Sequence, residues 1–231
     1  MSPERPAGGS RCFDNPEWRN VRYGRLCIRG GHQAVARYYR HLKELEKEGI
    51  HQISSQGLGN RMHLTASQIR QDINCFGGFG RQGYGYSVSG LREHIGHILG
   101  VDRTHRMIIV GAGNIGRAVA LSDSFPANGF ETVAIFDNDA AKIGMTVGSL
   151  VVQDVEDLKR YLDENTVDIA VIAVPVSHAQ RMVEALCERG VKGFWNFAPL
   201  DLKVPEGTSV VNVHLDEGLE ILSFRMLREL A

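Results

Sequence analysis

"VGAGNIG", residues 110–116, decides how this chain is read. Gly111, Gly113 and Gly116 keep the GxGxxG spacing, directly behind the apolar run "RMIIV" (106–110) and at the mouth of a helix opening over Ile115–Leu121. In such a turn the first glycine permits the tight bend and the second lets a pyrophosphate approach the backbone. The third lets helix and strand pack closely. Free N–H groups at the helix start then face the phosphates. The spacing alone is a weak signal. Here the next apolar run, "ETVAIFD" (131–137), ends on Asp137, 21 residues past Gly116, where a carboxylate accepts hydrogen bonds from a ribose diol. "FDND" brings no arginine toward a 2′-phosphate, which favours NAD(H) over NADP(H). A similar fold with an empty pocket, or one holding coenzyme A, is the competing reading of these residues.

Downstream the alternation continues. "VEDLKRYLDEN" (155–165) and "HAQRMVEALCERG" (178–190) read as helices; "DIAVIAVP" (168–175), "VKGFWNF" (191–197) and "SVVNV" (209–213) read as strands. This is the pattern of a parallel sheet wound with helices, an α/β Rossmann domain. Leu215, Leu219, Leu222, Met226 and Leu230 then recur at helical spacing, giving a terminal helix with one long apolar stripe.

The residues ahead of the glycine turn follow another plan. Val35, Tyr38, Leu42 and Leu45 mark a helix that Gly49 ends, and "SSQGLGN" (54–60) holds only a turn or two. In "LTASQIRQDINCF" (64–76), Thr65 and Gln68 form a capping box. Ile69, Ile73 and Phe76 share one face, so Ser67, Gln68, Arg70, Gln71 and Asn74 point elsewhere. "FGGFGRQGYGY" (76–86) follows, then a helix marked by Leu91, Ile95, Ile98 and Leu99. Three helices, a glycine-rich hairpin and a further helix describe a winged helix. Its second helix-turn-helix helix enters a major groove and its hairpin lies against the adjacent minor groove. Arg70 suits a guanine edge or a phosphate and Gln71 an adenine edge. Arg81 suits a narrow minor groove, with Phe79, Tyr84 and Tyr86 anchoring the hairpin. Taken singly, Arg70 and Arg81 are also ordinary surface cations.

Charge supports the division. Through His105 there are 15 Lys and Arg against 9 Asp and Glu, a net of +6; from Arg106 onward the balance is 11 against 18, a net of −7. Opposite signs suggest a polyanion as partner of the first half only. The expected organisation is a mobile basic tail over 1–32, a winged-helix DNA-binding domain over 33–102, a Rossmann NAD(H)-binding domain over 103–214 and a terminal helix over 215–231. No apolar run approaches the roughly 20 residues of a membrane span, and the start has no secretory h-region. Cys12, Cys27, Cys75 and Cys187 form no CxxC pair, which reads as reduced thiols of a cytoplasmic protein without a metal site. His178 is the one candidate acid or base for a dehydrogenase, an NAD-dependent oxidoreductase reading that lacks a separate substrate domain.

These motifs resemble the Rex redox-sensing transcriptional repressors of bacteria. The likeness runs from about Val35 to the C-terminus, through "YYRHLKELEKEGI", "TASQIRQDINCFGGFGRQGYGYSV", "VGAGNIGRA", "FDNDAAKIG", "VKGFWNFAPLDLKVPE" and "LEILSF". The resemblance implies a homodimer that grips a palindromic double-stranded operator and releases it when NADH accumulates, its terminal helix swapped onto the partner. The implied cofactor contacts are Gly111, Ala112, Gly113, Asn114, Ile115, Gly116, Asp137, Lys142, Val174 and Pro175. The implied DNA contacts are Thr65, Ser67, Gln68, Arg70, Gln71, Arg81, Gln82 and Gly83, with no catalytic residue. Departures from the family pattern stand at Gln71, where a basic residue is common, at Gln82 in the wing, and at Ser122, near the place of a tyrosine beside the nicotinamide. Arg40 matches an arginine that pairs across the dimer with an aspartate, and His214 occupies that aspartate's position. A Rex-like paralogue that ignores the NADH/NAD+ ratio is the alternative these departures imply.

Overall fold

The computed structural model describes residues 31–76 and 85–229, and these divide into two compact units with the boundary between Leu99 and Gly100. Residues 1–30 of the expected basic tail and the wing residues Phe79, Arg81, Gln82, Gly83 and Tyr84 lie outside the described residues, as does Leu230, whereas the tail's last two residues, 31 and 32, already belong to the first helix.

The first unit opens with helix α1 (Gly31–Lys47), followed by a short strand β1 (Gln52–Ile53), α2 (Ser55–Met62) and α3 (Ala66–Cys75). Strand β2 (Tyr86–Ser87) pairs antiparallel with β1, and α4 (Val88–Leu99) closes the unit. The apolar positions at helical spacing converge as their periodicity dictates. Val35, Tyr38, Leu42 and Leu45 of α1, Leu58 and Met62 of α2, Ile69 and Ile73 of α3, and Leu91 and Ile95 of α4 form one buried core. The link from α2 to α3 is tight: His63 adopts a left-handed conformation (φ 55°) and Leu64 N–H donates to the Gly59 carbonyl at 2.9 Å. Thr65 then caps α3, with Gln68 N–H donating to its hydroxyl and Thr65 N–H donating to Gln68 Oε1.

The second unit runs β3 (His105–Val110), α5 (Asn114–Ala120), β4 (Phe130–Asp137), β5 (Thr146–Val147), β6 (Leu150–Asp154), α6 (Leu158–Glu164), β7 (Ile169–Ile172), α7 (Val176–Glu188), β8 (Gly193–Asn196), β9 (Ser209–Asn212) and α8 (Leu215–Glu229). The seven strands lie in the order β5-β6-β4-β3-β7-β8-β9, parallel throughout except for β5. One face buries Ile108, Val110, Phe136 and Ile172 under Leu158 of α6 and Ala179, Val183 and Leu186 of α7. The other carries Met107, Ile109, Ile135 and Val171 against Val119 of α5. The hairpin β5–β6 is absent from the sequence expectation. Only Val147 and Val152 are buried in it, which gives too short an apolar signal.

Helix α8 forms where the stripe of leucines predicts it, but no described side chain from Leu215 to Leu227 is buried, and Leu219 is 69% exposed. In the same unit an apolar cleft of about 390 Å³ stands open, lined by Met107, Phe125, Phe130, Ile169, Trp195 and Val211 among others.

Candidate nucleotide site and nucleic-acid interface

From β3 the chain moves to β4 on one side and later to β7 on the other. The crevice between the ends of β3 and β7 is therefore the sheet's switch point, where open α/β sheets take ligands. The glycine turn sits there. Gly111 has φ 105°, and a Cβ added to it would stand 2.4 Å from the Ala173 carbonyl oxygen at the end of β7. A Cβ on Gly116 would lie 1.8 Å from the Gly111 oxygen, so α5 reaches this close to β3 only with glycine there. Gly113 differs: nothing lies within 4 Å of a Cβ built on it. The turn is stitched to the next strand by Gly111 N–H, which donates to the Phe136 carbonyl at 2.8 Å.

Asp137 closes the site from the end of β4. Its carboxylate is 7% exposed and takes three hydrogen bonds. Ala112 N–H donates to Oδ2 at 2.7 Å, Asp139 N–H to Oδ1 at 2.9 Å, and Lys142 Nζ to Oδ2 at 3.2 Å. Burial by itself would lift its pKa; the two backbone donors and the lysine outweigh burial and hold the group below its ordinary value, ionised. The same pairing raises Lys142, which also stands 3.4 Å from Asp139. A cleft of about 240 Å³ opens beside these groups, lined by Ala112, Gly113, Asn114, Arg117, Lys142, Met145, Val147 and Val152. Arg117 Nη2 donates to Asn114 Oδ1 at 3.0 Å at its edge.

Of the sequence-derived set, Gly111, Ala112, Gly113, Asn114, Asp137 and Lys142 therefore meet at one place. Val174 and Pro175 follow Ala173, whose oxygen faces Gly111, and Pro175 precedes α7. Ile115 turns inward against the sheet core. His178 is exposed on the first turn of α7, and no cluster of metal-ligating side chains occurs among the described residues. Met145, Val147 and Val152 were not legible in advance, because the wall they form exists only once β6 lies beside β4, and Arg117 lines the same cleft from α5.

In the first unit Ser67, Arg70, Gln71 and Asn74 are exposed along α3, opposite the buried Ile69 and Ile73. Thr65 and Gln68 are partly committed to each other by the cap, so Gln68 has its amide N–H groups rather than its oxygen to offer. Asp72 is unexpected. It lies buried on α3, accepting a 2.8 Å hydrogen bond from the Tyr38 hydroxyl of α1. Burial, and then the Asp72 carboxylate, push the Tyr38 pKa up, so the phenol stays a donor. Arg40 is held 4.0 Å from Glu44 on its own helix, and His214 Nε2 stands 3.2 Å from Asp201 Oδ1. Ser122 and Ser124 share a 2.8 Å hydroxyl contact just past α5.

A helix-turn-helix module in one unit and a carboxylate-marked glycine turn in the other is the build of a ligand-responsive DNA-binding regulator. Comparison with known proteins narrows that class. Residues 102–200 match the family model of a CoA binding domain, and residues 35–74 match one described as "Putative DNA-binding protein N-terminus". The redox-sensing transcriptional repressor Rex of Clostridium tetani is 47% identical over 192 residues, 83% of this chain and 91% of that protein. Rex of Clostridium perfringens is 47% identical over 190 residues, covering 82% and 90%. Among solved structures, the Rex-family repressor RSP in complex with β-NAD+ and operator DNA superposes with a TM-score of 0.80 at 43% identity, covering 85% of this chain and 91% of that one. RSP in complex with β-NADH gives 0.78 at 41% identity, covering 85% and 92%. The chain belongs to the Rex family of redox-sensing transcriptional repressors. No helix among the described residues is long and apolar enough to cross a membrane.

Proposed function

We propose that this chain is a cytoplasmic homodimeric repressor that reads the NADH/NAD+ balance, holding operator DNA and releasing it when NADH binds. The observation that carries the reading is the ionised Asp137 carboxylate set against the glycine turn at the switch point, in a chain whose other unit is a helix-turn-helix. The residues fit the dinucleotide. Gly111, Ala112, Gly113 and Asn114 present backbone to the pyrophosphate, Gly116 and Ile115 root the turn, and Asp137 receives the adenosine ribose diol. Lys142 steadies Asp137, and Val174 and Pro175 flank the path to the nicotinamide. NAD(H) is a signal here rather than a reactant, and no catalytic turnover belongs to the reading.

On the DNA side Ser67, Arg70 and Gln71 face the groove from α3, Thr65 and Gln68 fix its entry, and Arg81, Gln82 and Gly83 complete the contact from the wing. Support for the dimer comes from α8, whose exposed apolar stripe and the open apolar cleft of the same unit are each the kind of surface the other would cover in a second copy. To Arg40 and His214 we assign the coupling between nucleotide and DNA binding. His214 is itself held by Asp201, 3.2 Å away.

The mechanism is a population shift. NADH binds one dimer state better and operator DNA the other, so each weakens the other by the same factor. A gel-shift titration on a palindromic duplex, selected from a randomised pool by the protein itself, tests this. Release by NADH but not by NAD+ is expected. Equal release by both, or by neither, ends the redox reading and leaves the ratio-insensitive paralogue that Ser122 and His214 bring to mind.

A further inference from the structure

The recognition helix α3 carries one cation, Arg70, and one anion, Asp72, and so has no net charge of its own. Binding to a polyanion depends chiefly on cations that displace counterions from phosphates, and those must then come from neighbouring elements. Among the described residues Arg37 shares a cleft with α3 without belonging to that helix. Arg37, on the exposed side of α1, lines a cleft of about 190 Å³ together with Gln68, Gln71 and Asp72 of α3. Its Nη2 donates to the Met62 carbonyl at the end of α2, 3.3 Å away, its one hydrogen bond among the described residues. Its charge also lowers the tyrosine pKa at the Tyr38–Asp72 pair, against the larger raising effects of burial and Asp72.

We infer that Arg37 is a DNA-backbone contact, a guanidinium that α1 holds at the edge of the groove filled by α3. The inference rests on the DNA-binding reading above and deepens it. A guanidinium has five N–H donors in a fixed fork; the Met62 carbonyl takes one and sets the plane, and the others face a phosphate. The same charge offsets Asp72. Left alone, a carboxylate on a groove-reading helix repels the backbone it approaches. Here the carboxylate is buried, tied to Tyr38 and flanked by Arg37. Position 71 is a neutral glutamine, so the cation on this flank of α3 comes from α1. A phosphate contact carries no sequence information, so Arg37 acts equally on all duplexes, whereas Gln71 discriminates among them.

The test is fluorescence anisotropy with two labelled duplexes, one of random sequence and one selected by the protein from a randomised pool, titrated across salt concentrations. For Arg37→Ala the slope of log affinity against log salt should flatten by about 0.9 on both duplexes, with affinity near 0.1 M salt falling roughly eightfold on each. Arg37→Lys should keep the slope. Arg37→Gln, which preserves the stem, serves if the alanine variant folds poorly. Unchanged slope and affinity overturn the inference. So does an affinity loss at unchanged slope with a lower melting temperature, which would make Arg37 a structural clamp on Met62. If the wild-type chain binds neither duplex, the DNA-binding reading itself fails.

Discussion

Asp137 shows how the fold can fix a carboxylate and still leave it room for a ligand. An ionised carboxylate offers about four acceptor positions, and Ala112, Asp139 and Lys142 occupy three. The group is thus fixed in place with capacity remaining for a ribose hydroxyl. Asp137→Ala should weaken NADH binding by tenfold or more while leaving operator affinity without nucleotide nearly intact; calorimetry that finds NADH affinity unchanged would remove Asp137 from the site. His214 sets a second expectation, in pH. The hydrogen bond to Asp201, with Glu217 and Asp216 adding to it, raises the imidazole above its ordinary value. A raised histidine stabilises the fold fully below its unfolded pKa of about 6.5, and that contribution disappears as pH climbs through the folded value. Between about pH 6 and about pH 9 the wild-type chain should therefore lose more melting temperature than His214→Gln. Parallel curves would show that the Asp201 pairing contributes nothing to stability in solution.

At the scale of elements, the glycine turn separates two roles that the sequence motif presents as one. Gly116 is required by packing, since any Cβ there meets the Gly111 oxygen, whereas Gly113 faces open space. Gly116→Ala should therefore fail to fold or melt far below the wild type. Gly113→Ala should melt as the wild type does yet lose NAD(H), because its methyl group occupies the approach of the pyrophosphate. Normal nucleotide affinity in Gly113→Ala would mean the phosphates run elsewhere. The turn was legible in the sequence because its requirements are local: a strand, three glycines and a carboxylate at fixed spacing. The same holds for the Thr65–Gln68 cap and for the stripes on α1, α3 and α4, where burial follows periodicity. Contacts between distant segments were not legible. The β5–β6 hairpin contributes two buried valines, and its place beside β4 creates the Met145, Val147 and Val152 wall only after folding. Asp72 sits at a buried helical position between Ile69 and Ile73, and an acid there signals a partner. Nothing in the sequence says that the partner is Tyr38.

For the whole molecule the decisive feature is a helix that its own chain does not bury. Leu215, Leu219, Ile221, Leu222, Phe224, Met226 and Leu227 are each more than half exposed on α8. Full burial of one such side chain contributes about 1.5–3 kcal/mol, so the set supplies a strong drive to associate. In a symmetric pair each copy would offer both a helix and an apolar cleft, and closure at two copies would satisfy all of them. Replacing Leu219 and Leu222 together by aspartate should give a monomer in sedimentation velocity. Its melting transition and NADH affinity should survive, since neither side chain is buried in the single chain. Operator binding should fall steeply, because a monomer occupies one half-site and loses the second set of phosphate contacts along with the avidity of two linked modules. The salt slope should drop toward half the dimer's value, which distinguishes loss of a subunit from damage to α3. A double variant that stays dimeric would place the interface elsewhere. One that becomes monomeric yet binds the palindrome with wild-type affinity and salt slope would mean that DNA recognition needs only one copy, and a nucleotide acting through the dimer would then have nothing to switch.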